Sequence, residues 1–344
     1  LTEIQADIQV CDDVRQHVRI APRFIVAKAG EGRNSAWRIA IGFSVITLMV
    51  LFITIAAIAA GPLVYQGFCS LAGCAQPTLS YWEASELLYE SFLDSWLGFA
   101  LALSTIGVAW AGTWVALRLV HRRRLSSLMG VTGRLSWHDF ASSFAVWFIV
   151  GVLSSALFFA TDPTGRRGEV ELLNWIVALL PFSLLILVQS SAEELVFRGY
   201  LQQSLAQRFP NWLVWAVLPT LVFTLLHWDG DAVPWMNAAV LISIAVFSVA
   251  MTLLVCATGN LGAAFGAHCA NNVVAILFFG GDADFQWAAL YVGLPLQDQS
   301  WTPADAVLMA IAGIVLTIIP LALSLHPRSP FRLASKKNIA TPVF

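Results

Sequence analysis

Eight runs of apolar residues divide this chain, and the polar positions fall mostly between them. The runs cover about Trp37–Leu63, Trp96–Val120, Phe140–Ala160, Leu172–Ser191, Trp212–Trp228, Trp235–Cys256, Leu261–Phe279 and Ala306–Leu325. Each is long enough to cross a hydrocarbon layer of roughly 30 Å as a helix. In such a layer a helix satisfies its own backbone hydrogen bonds, which an open strand or loop cannot do. The pattern predicts an all-α, polytopic integral membrane protein with about eight transmembrane helices. It shows no internal repeat and no low-complexity segment.

Composition agrees and excludes a soluble fold: 58% of the 344 residues are hydrophobic and 12% charged, with a mean hydropathy of +0.74. A formal net charge of -2 offers no basic field for nucleic acid. The distribution of charge says more. The connections from Gly67 to Asp94 and from Gly280 to Asp305 are acidic, whereas His121–Arg124 and the tail with Arg328, Arg332, Lys336 and Lys337 are basic. Of the 19 Lys and Arg residues, only Arg166 and Arg167 fall on the opposite side. The excess of basic residues in cytoplasmic loops then puts both termini in the cytoplasm, and the expected location is a bacterial inner membrane. The expected organisation is a cytoplasmic tail over residues 1–36 without a signal-peptide apolar stretch, and transmembrane helices 1–3 over 37–171 with an interfacial segment at 121–139. A core follows over 172–282, then a last helix and cytoplasmic tail over 283–344. The five cysteines have no metal-site spacing; Cys69 and Cys74, in a predicted external loop, are placed for either a disulfide or two free thiols.

Candidate chemistry lies in the few polar residues within the spans. An ionisable side chain at mid-membrane costs about 2.5–3.5 kcal/mol on insertion scales, so each one asks for a reason. Glu193, Glu194 and Arg198 form one group, His227 stands in the fifth run, and His268, Asn271 and Asn272 stand in the seventh. Glu194 and Arg198 are four apart, on one helix face, and should pair. Glu193 is turned away by about 100° and has no local counter-charge. A carboxylate in that situation is disfavoured in its charged form, which suits a general base. His268 and Asn272 are also four apart and project together, while Asn271 is expected to bond a neighbouring helix. His17, His121, His138 and His326 are expected on solvated surface. Pro181 and Pro219 read as ordinary kinks.

Depth brings the groups together. Glu193 and His227 each lie 17 positions from Pro210, where the chain turns, so in an antiparallel hairpin both sit about 25 Å from the turn. His268 is only about 12 Å beyond the turn at Gly259-Asn260 by the same rise. The depths agree if the first hairpin protrudes by a turn or two, as a helix from Asn174 to Arg208, about 50 Å long, would do.

Glu193-Glu194-x-x-x-Arg198, Phe223-x-x-x-His227 and His268-x-x-x-Asn272, in this order on three apolar regions, resemble the CAAX prenyl protease and bacteriocin-processing family, which includes the type II CAAX prenyl endopeptidases. The resemblance implies peptide-bond hydrolysis in a membrane cavity. Glu193 and His227 would activate water, and His268 and Asn272 would form the oxyanion hole. Glu194 and Arg198 would hold the helix end and orient Glu193, and Phe223 would fix the rotamer of His227. It also implies a membrane-associated peptide or protein substrate. No cofactor is expected, although two histidines and a glutamate also make a catalytic zinc set. Against zinc stand the absence of a His-Glu-x-x-His helix and of any obvious carboxylate partner for His268. Two other classes stay open: a non-catalytic scaffold, assembly factor or subunit that docks a membrane-protein partner, and a proton-coupled transporter.

Overall fold

The computed structural model describes residues 34–72, 80–83, 96–161, 164–280 and 287–333. Most of the predicted N-terminal tail, the end of the C-terminal tail, and Cys74 lie outside the described residues, as does the side chain of Cys69.

All eight apolar runs are helical. The first is α1 (Ala36–Ala72). The second is α2 (Trp96–Gly107) and α3 (Ala109–Val115), the latter continuing as a wider π-helical segment to His121. The third is α4 (Trp137–Thr161). The fourth begins as α5 (Leu172–Glu194), widens to a π segment (Leu195–Gln202) and ends as α6 (Gln203–Ala206). The fifth is a π segment (Leu213–Val217) followed by α7 (Leu218–Leu225), the sixth α8 (Pro234–Thr258), the seventh α9 (Gly262–Val273) with a π turn to Phe278, and the eighth α10 (Pro303–Leu325). Six of these helical stretches are long and apolar enough to span a bilayer; the fifth and seventh, Leu213–Leu225 and Gly262–Phe278, are shorter. The fifth run is three residues shorter at its end than predicted, so His227 lies just past the helix rather than in it. The chain is an all-helical polytopic membrane protein.

Local signals set the ends. Thr302 and Asp305 form a reciprocal capping box at the start of α10, with Pro303 inside it. Gly259 closes α8 in the left-handed region, at φ 65°.

The connections sort into two sets, one at each end of the bundle. At one end Asn34 meets His121 and Gln207, Gly130 bridges Asn260, and the Asn260 amide binds Ser136 N at 2.9 Å and Arg134 O at 2.8 Å. At the other end Arg166–Arg167, Tyr291–Val292 and Phe279–Gly280 form a three-stranded sheet, Val233 N donates to Leu296 O at 3.1 Å, and Gln297 donates to Asp229 at 3.0 Å. Among the described residues, the connections after the second, fourth and sixth helical stretches lie at the first end and those after the third, fifth and seventh at the second. Arg118, Arg122–Arg124, Arg134 and Arg208 cluster at the first end, Arg166 and Arg167 at the second.

The core is built on α9, whose residues Gly262–Ala270 are all buried and which packs mainly on α4. A Cβ on Gly266 would stand 2.2 Å from Phe140 O, and one on Gly262 2.4 Å from Ser136 O. Small residues thus let the two backbones approach as in tightly packed membrane helices.

The expectation of a solvated His121 is wrong. It is fully buried, with Nε2 2.8 Å from Tyr200 Oη and Nδ1 3.0 Å from Asn34 Oδ1. The run of three arginines suggested an exposed turn, but His121 still belongs to the helix, and the chain reverses only at Arg122, at φ 56°. His138 and His326 are exposed as expected.

Candidate active site

The fourth helical stretch runs unbroken for 35 residues, Leu172–Ala206, about 50 Å at 1.5 Å per residue. Its first part shows apolar side chains such as Val177 and Leu180 to the surroundings, but every residue from Glu194 to Leu205 is buried. The change coincides with the π segment that starts one residue after Glu194, a widening that frequently accompanies functional sites in helices. Here protein, not lipid, surrounds the ionisable groups.

Arg198 is sandwiched. Its Nη1 donates to Glu194 Oε1 at 2.8 Å, its Nη2 donates to Ser248 O and Oγ on α8 at 3.0 and 2.7 Å, and its guanidinium carbon lies 4.8 Å from the centre of the Phe223 ring. Ser248 Oγ in turn lies 3.3 Å from Thr220 Oγ1. The predicted Glu194–Arg198 pair is present, with both side chains nearly inaccessible.

Glu194 does more than hold its helix. The same Oε1 lies 2.7 Å from His268 Nδ1 on α9, which overturns the expectation that His268 lacks a carboxylate partner. The two residues are 74 positions apart, and no spacing rule links residues on different helices. Since an ionised carboxylate only accepts, Nδ1 carries hydrogen, and Nε2 points toward Glu193, 3.6 Å from its Oε2.

Glu193 retains 17% side-chain exposure. Its Oε1 accepts from Gln189 Nε2 at 2.6 Å, while Oε2 is buried without a hydrogen-bond partner. Gln189 Oε1 accepts from Asn272 Nδ2 at 3.1 Å, so Glu193 and Asn272 share one amide. Asn271 donates to Asn272 Oδ1 at 3.2 Å. It is exposed and bonds within its own helix, not to a neighbouring one, because the step from 271 to 272 turns it off the packed face.

His227 is exposed, in the turn after α7. Its Nδ1 lies 2.8 Å from Phe223 O, and a carbonyl only accepts, so Nδ1 carries hydrogen and Nε2 offers a lone pair. Phe223, 2% exposed, has its ring centre 4.7 Å from that of His227 and 6.0 Å from that of His268. The two imidazoles are therefore no further apart than the sum of those distances. Among the described residues His227 makes no direct hydrogen bond or ion pair with Glu193. The structure thus joins Glu193, Glu194, Arg198 and His268 directly, Asn272 through Gln189, and His227 through Phe223.

Gln189, Ser248 and Phe247, whose ring centre is 5.1 Å from that of His268, were not singled out by sequence. Gln189 carried a usable signal, being a polar residue in an apolar run four positions before Glu193. Among the described residues no three His, Cys, Asp or Glu side chains are grouped to hold a metal ion.

Residues 174–274 match the family model described as Type II CAAX prenyl endopeptidase Rce1-like, and every motif residue lies within that match. The chain is 24% identical over 252 residues, 72% of its length and 79% of the relative's, to Uncharacterized protein YyaK of Bacillus subtilis (strain 168). No solved structure matches. The chain thus resembles this family over its functional core, which supports a CAAX-type intramembrane-protease-like function in general terms.

Proposed function

We propose that this protein is an intramembrane endopeptidase that hydrolyses a peptide bond in a membrane-associated or lipidated substrate. The observation that carries the reading is the pairing of a buried, unbonded Glu193 Oε2 with His268 Nε2 at 3.6 Å. A carboxylate oxygen without a partner in a protein interior is costly, and active sites are where such groups persist.

In this reading a water donates one hydrogen to Glu193 and the other to His227 Nε2, which directs its lone pair at the scissile carbonyl carbon. Glu193 takes the proton as the oxygen–carbon bond forms. The resulting oxyanion accepts from Asn272 Nδ2 and from His268 Nε2, the latter carrying hydrogen on both ring nitrogens while Glu194 holds Nδ1. Such donors contribute about 3–4 kcal/mol each to transition-state stabilisation. The intermediate collapses with cleavage of the carbon–nitrogen bond, and Glu193 returns its proton to the leaving amine. Arg198 holds the Glu194 carboxylate in place through their hydrogen bond, and Phe223 packs against both imidazoles. We read the reaction as metal-free, with both termini on the cytoplasmic side of a bacterial inner membrane and a further membrane protein as a candidate partner.

The test compares the membrane proteome of cells carrying the wild-type protein with that of cells carrying Glu193→Gln. Uncleaved precursors accumulating in the variant would identify activity and substrate together. Undiminished cleavage by Glu193→Gln would remove the base from the mechanism, and a proteome indifferent to the protein would leave the scaffold reading in its place. Metal quantification on purified protein, with activity assayed after chelation, tests the metal-free clause. Stoichiometric metal whose removal abolishes activity would defeat it.

A further inference from the structure

Gln189 belongs to none of the three motifs, yet among the described residues its side chain is hydrogen-bonded to both the candidate base Glu193 and the candidate oxyanion donor Asn272. The residue is 6% exposed, with Nε2 2.6 Å from Glu193 Oε1 and Oε1 3.1 Å from Asn272 Nδ2. The direction of this chain of hydrogen bonds is not arbitrary. An ionised Glu193 can only accept, so the amide nitrogen of Gln189 must face it. The amide oxygen of Gln189 must then face Asn272, which obliges Asn272 to present its nitrogen to the site and its oxygen to Asn271, whose Nδ2 lies 3.2 Å away. The charge state of one carboxylate, relayed through Gln189, decides which end of Asn272 a substrate meets. Reversed, Asn272 would aim an oxygen at the forming oxyanion and oppose the reaction instead of assisting it.

We infer that Gln189 is a positioning residue that couples the general base to the oxyanion hole by fixing the orientation of the Asn272 amide; the inference rests on the proteolytic reading above. Gln189 itself touches no reacting atom. It acts while Glu193 is ionised and leaves the second Asn272 N–H free for the oxyanion. On this view the binding of substrate is little affected by its loss, and the chemical step is slowed.

The test is a double-mutant cycle on cleavage of a substrate identified by the proteome comparison, using full-length protein with Gln189→Met, Asn272→Ala and the two combined, beside Glu193→Gln. Methionine keeps the length of glutamine and removes both polar ends. The expected result is a kcat lowered by about tenfold to a hundredfold in Gln189→Met with KM within about twofold of wild type, less than the 10²–10³ that follows loss of a whole oxyanion donor. The combined variant is expected to be no slower than Asn272→Ala alone, because a residue that works through Asn272 has nothing left to orient. A wild-type kcat in Gln189→Met overturns the inference, and so do effects of the two substitutions that multiply. Should Gln189→Met fail to accumulate in the membrane, Gln189→Asn, one methylene too short to reach both partners, takes its place with the same expected outcome. Failure of the proteolytic reading is seen separately, as a membrane proteome in which no precursor depends on the protein.

Discussion

Replacing Glu194 by glutamine changes almost nothing in shape and removes one buried negative charge. In the wild type Glu194 Oε1 accepts from both Arg198 at 2.8 Å and His268 at 2.7 Å, while Oε2 has no hydrogen-bond partner. A glutamine can therefore keep its oxygen on the two donors and turn its nitrogen to the vacant position. What it cannot do is match the charge of Arg198, which is 2% exposed, whose other hydrogen-bond acceptor among the described residues is the neutral Ser248, and on which Glu193 acts through charge without a hydrogen bond. Both hydrogen bonds lose their charged acceptor, and a buried cation is left without its hydrogen-bonded counter-charge, a change that typically costs about 3–5 kcal/mol. Glu193→Gln gives the contrast. Its partner Gln189 can still donate to the new amide oxygen, no strong ion pair is lost, and the expected cost is below about 1 kcal/mol. Thermal or denaturant unfolding of both variants in the same detergent measures the difference. Adding Arg198→Met to Glu194→Gln should recover much of the loss, since replacing a whole buried pair is often neutral. Equal stabilities for the two glutamine variants, or a double variant weaker than Glu194→Gln, would refute the account of a charge held in place by its partner.

Gly266→Ala should destabilise the protein by about 3 kcal/mol, the upper end for overpacking, because the added carbon meets the backbone of Phe140 at 2.2 Å rather than a movable side chain; Gly61→Ala, with open space around it, is the control and should unfold like wild type. A cysteine placed at Arg328 should react with membrane-impermeant thiol reagents from the cytoplasmic side, and one at Gln299 from the opposite side; labelling of both from one side would contradict a membrane crossing by α10.

The helices were readable because hydrocarbon imposes a long, unambiguous apolar signal, and the two loop sets were readable because charge is asymmetric. Within one helix, spacing also predicted contacts: Glu194 with Arg198 follows from a four-residue step. Contacts between helices were harder. That His268 rests on Glu194 depends on the rotation of α9 against the fourth helical stretch, which is set by where Gly262 and Gly266 let α4 come close. Depth counting from Pro210 assumed two regular helices, but the segments after Glu194 and before Leu218 are π-helical, and α7 stops at Leu225. His227 consequently leaves the helix and joins the site through Phe223. His121 was misjudged for a related reason: the histidine ends a helix whose next residue turns, and its burial by Tyr200 comes from a distant part of the chain.

The close seam between α4 and α9 also decides where the site can give way. A helix on which even a Cβ at Gly266 would meet the backbone oxygen of Phe140 at 2.2 Å has no room to roll or slide toward α4, so His268 and Asn272 stand on a fixed post. The opposite wall is α7 and the turn bearing His227, short and exposed at Leu221, Leu225 and Leu226. If the proposed peptide substrate enters here, the widening it needs falls on that wall. On the proteolytic reading, substrates of different bulk should be sorted by how far α7 and His227 are displaced, with the oxyanion-binding half of the site, His268 and Asn272, left undisturbed.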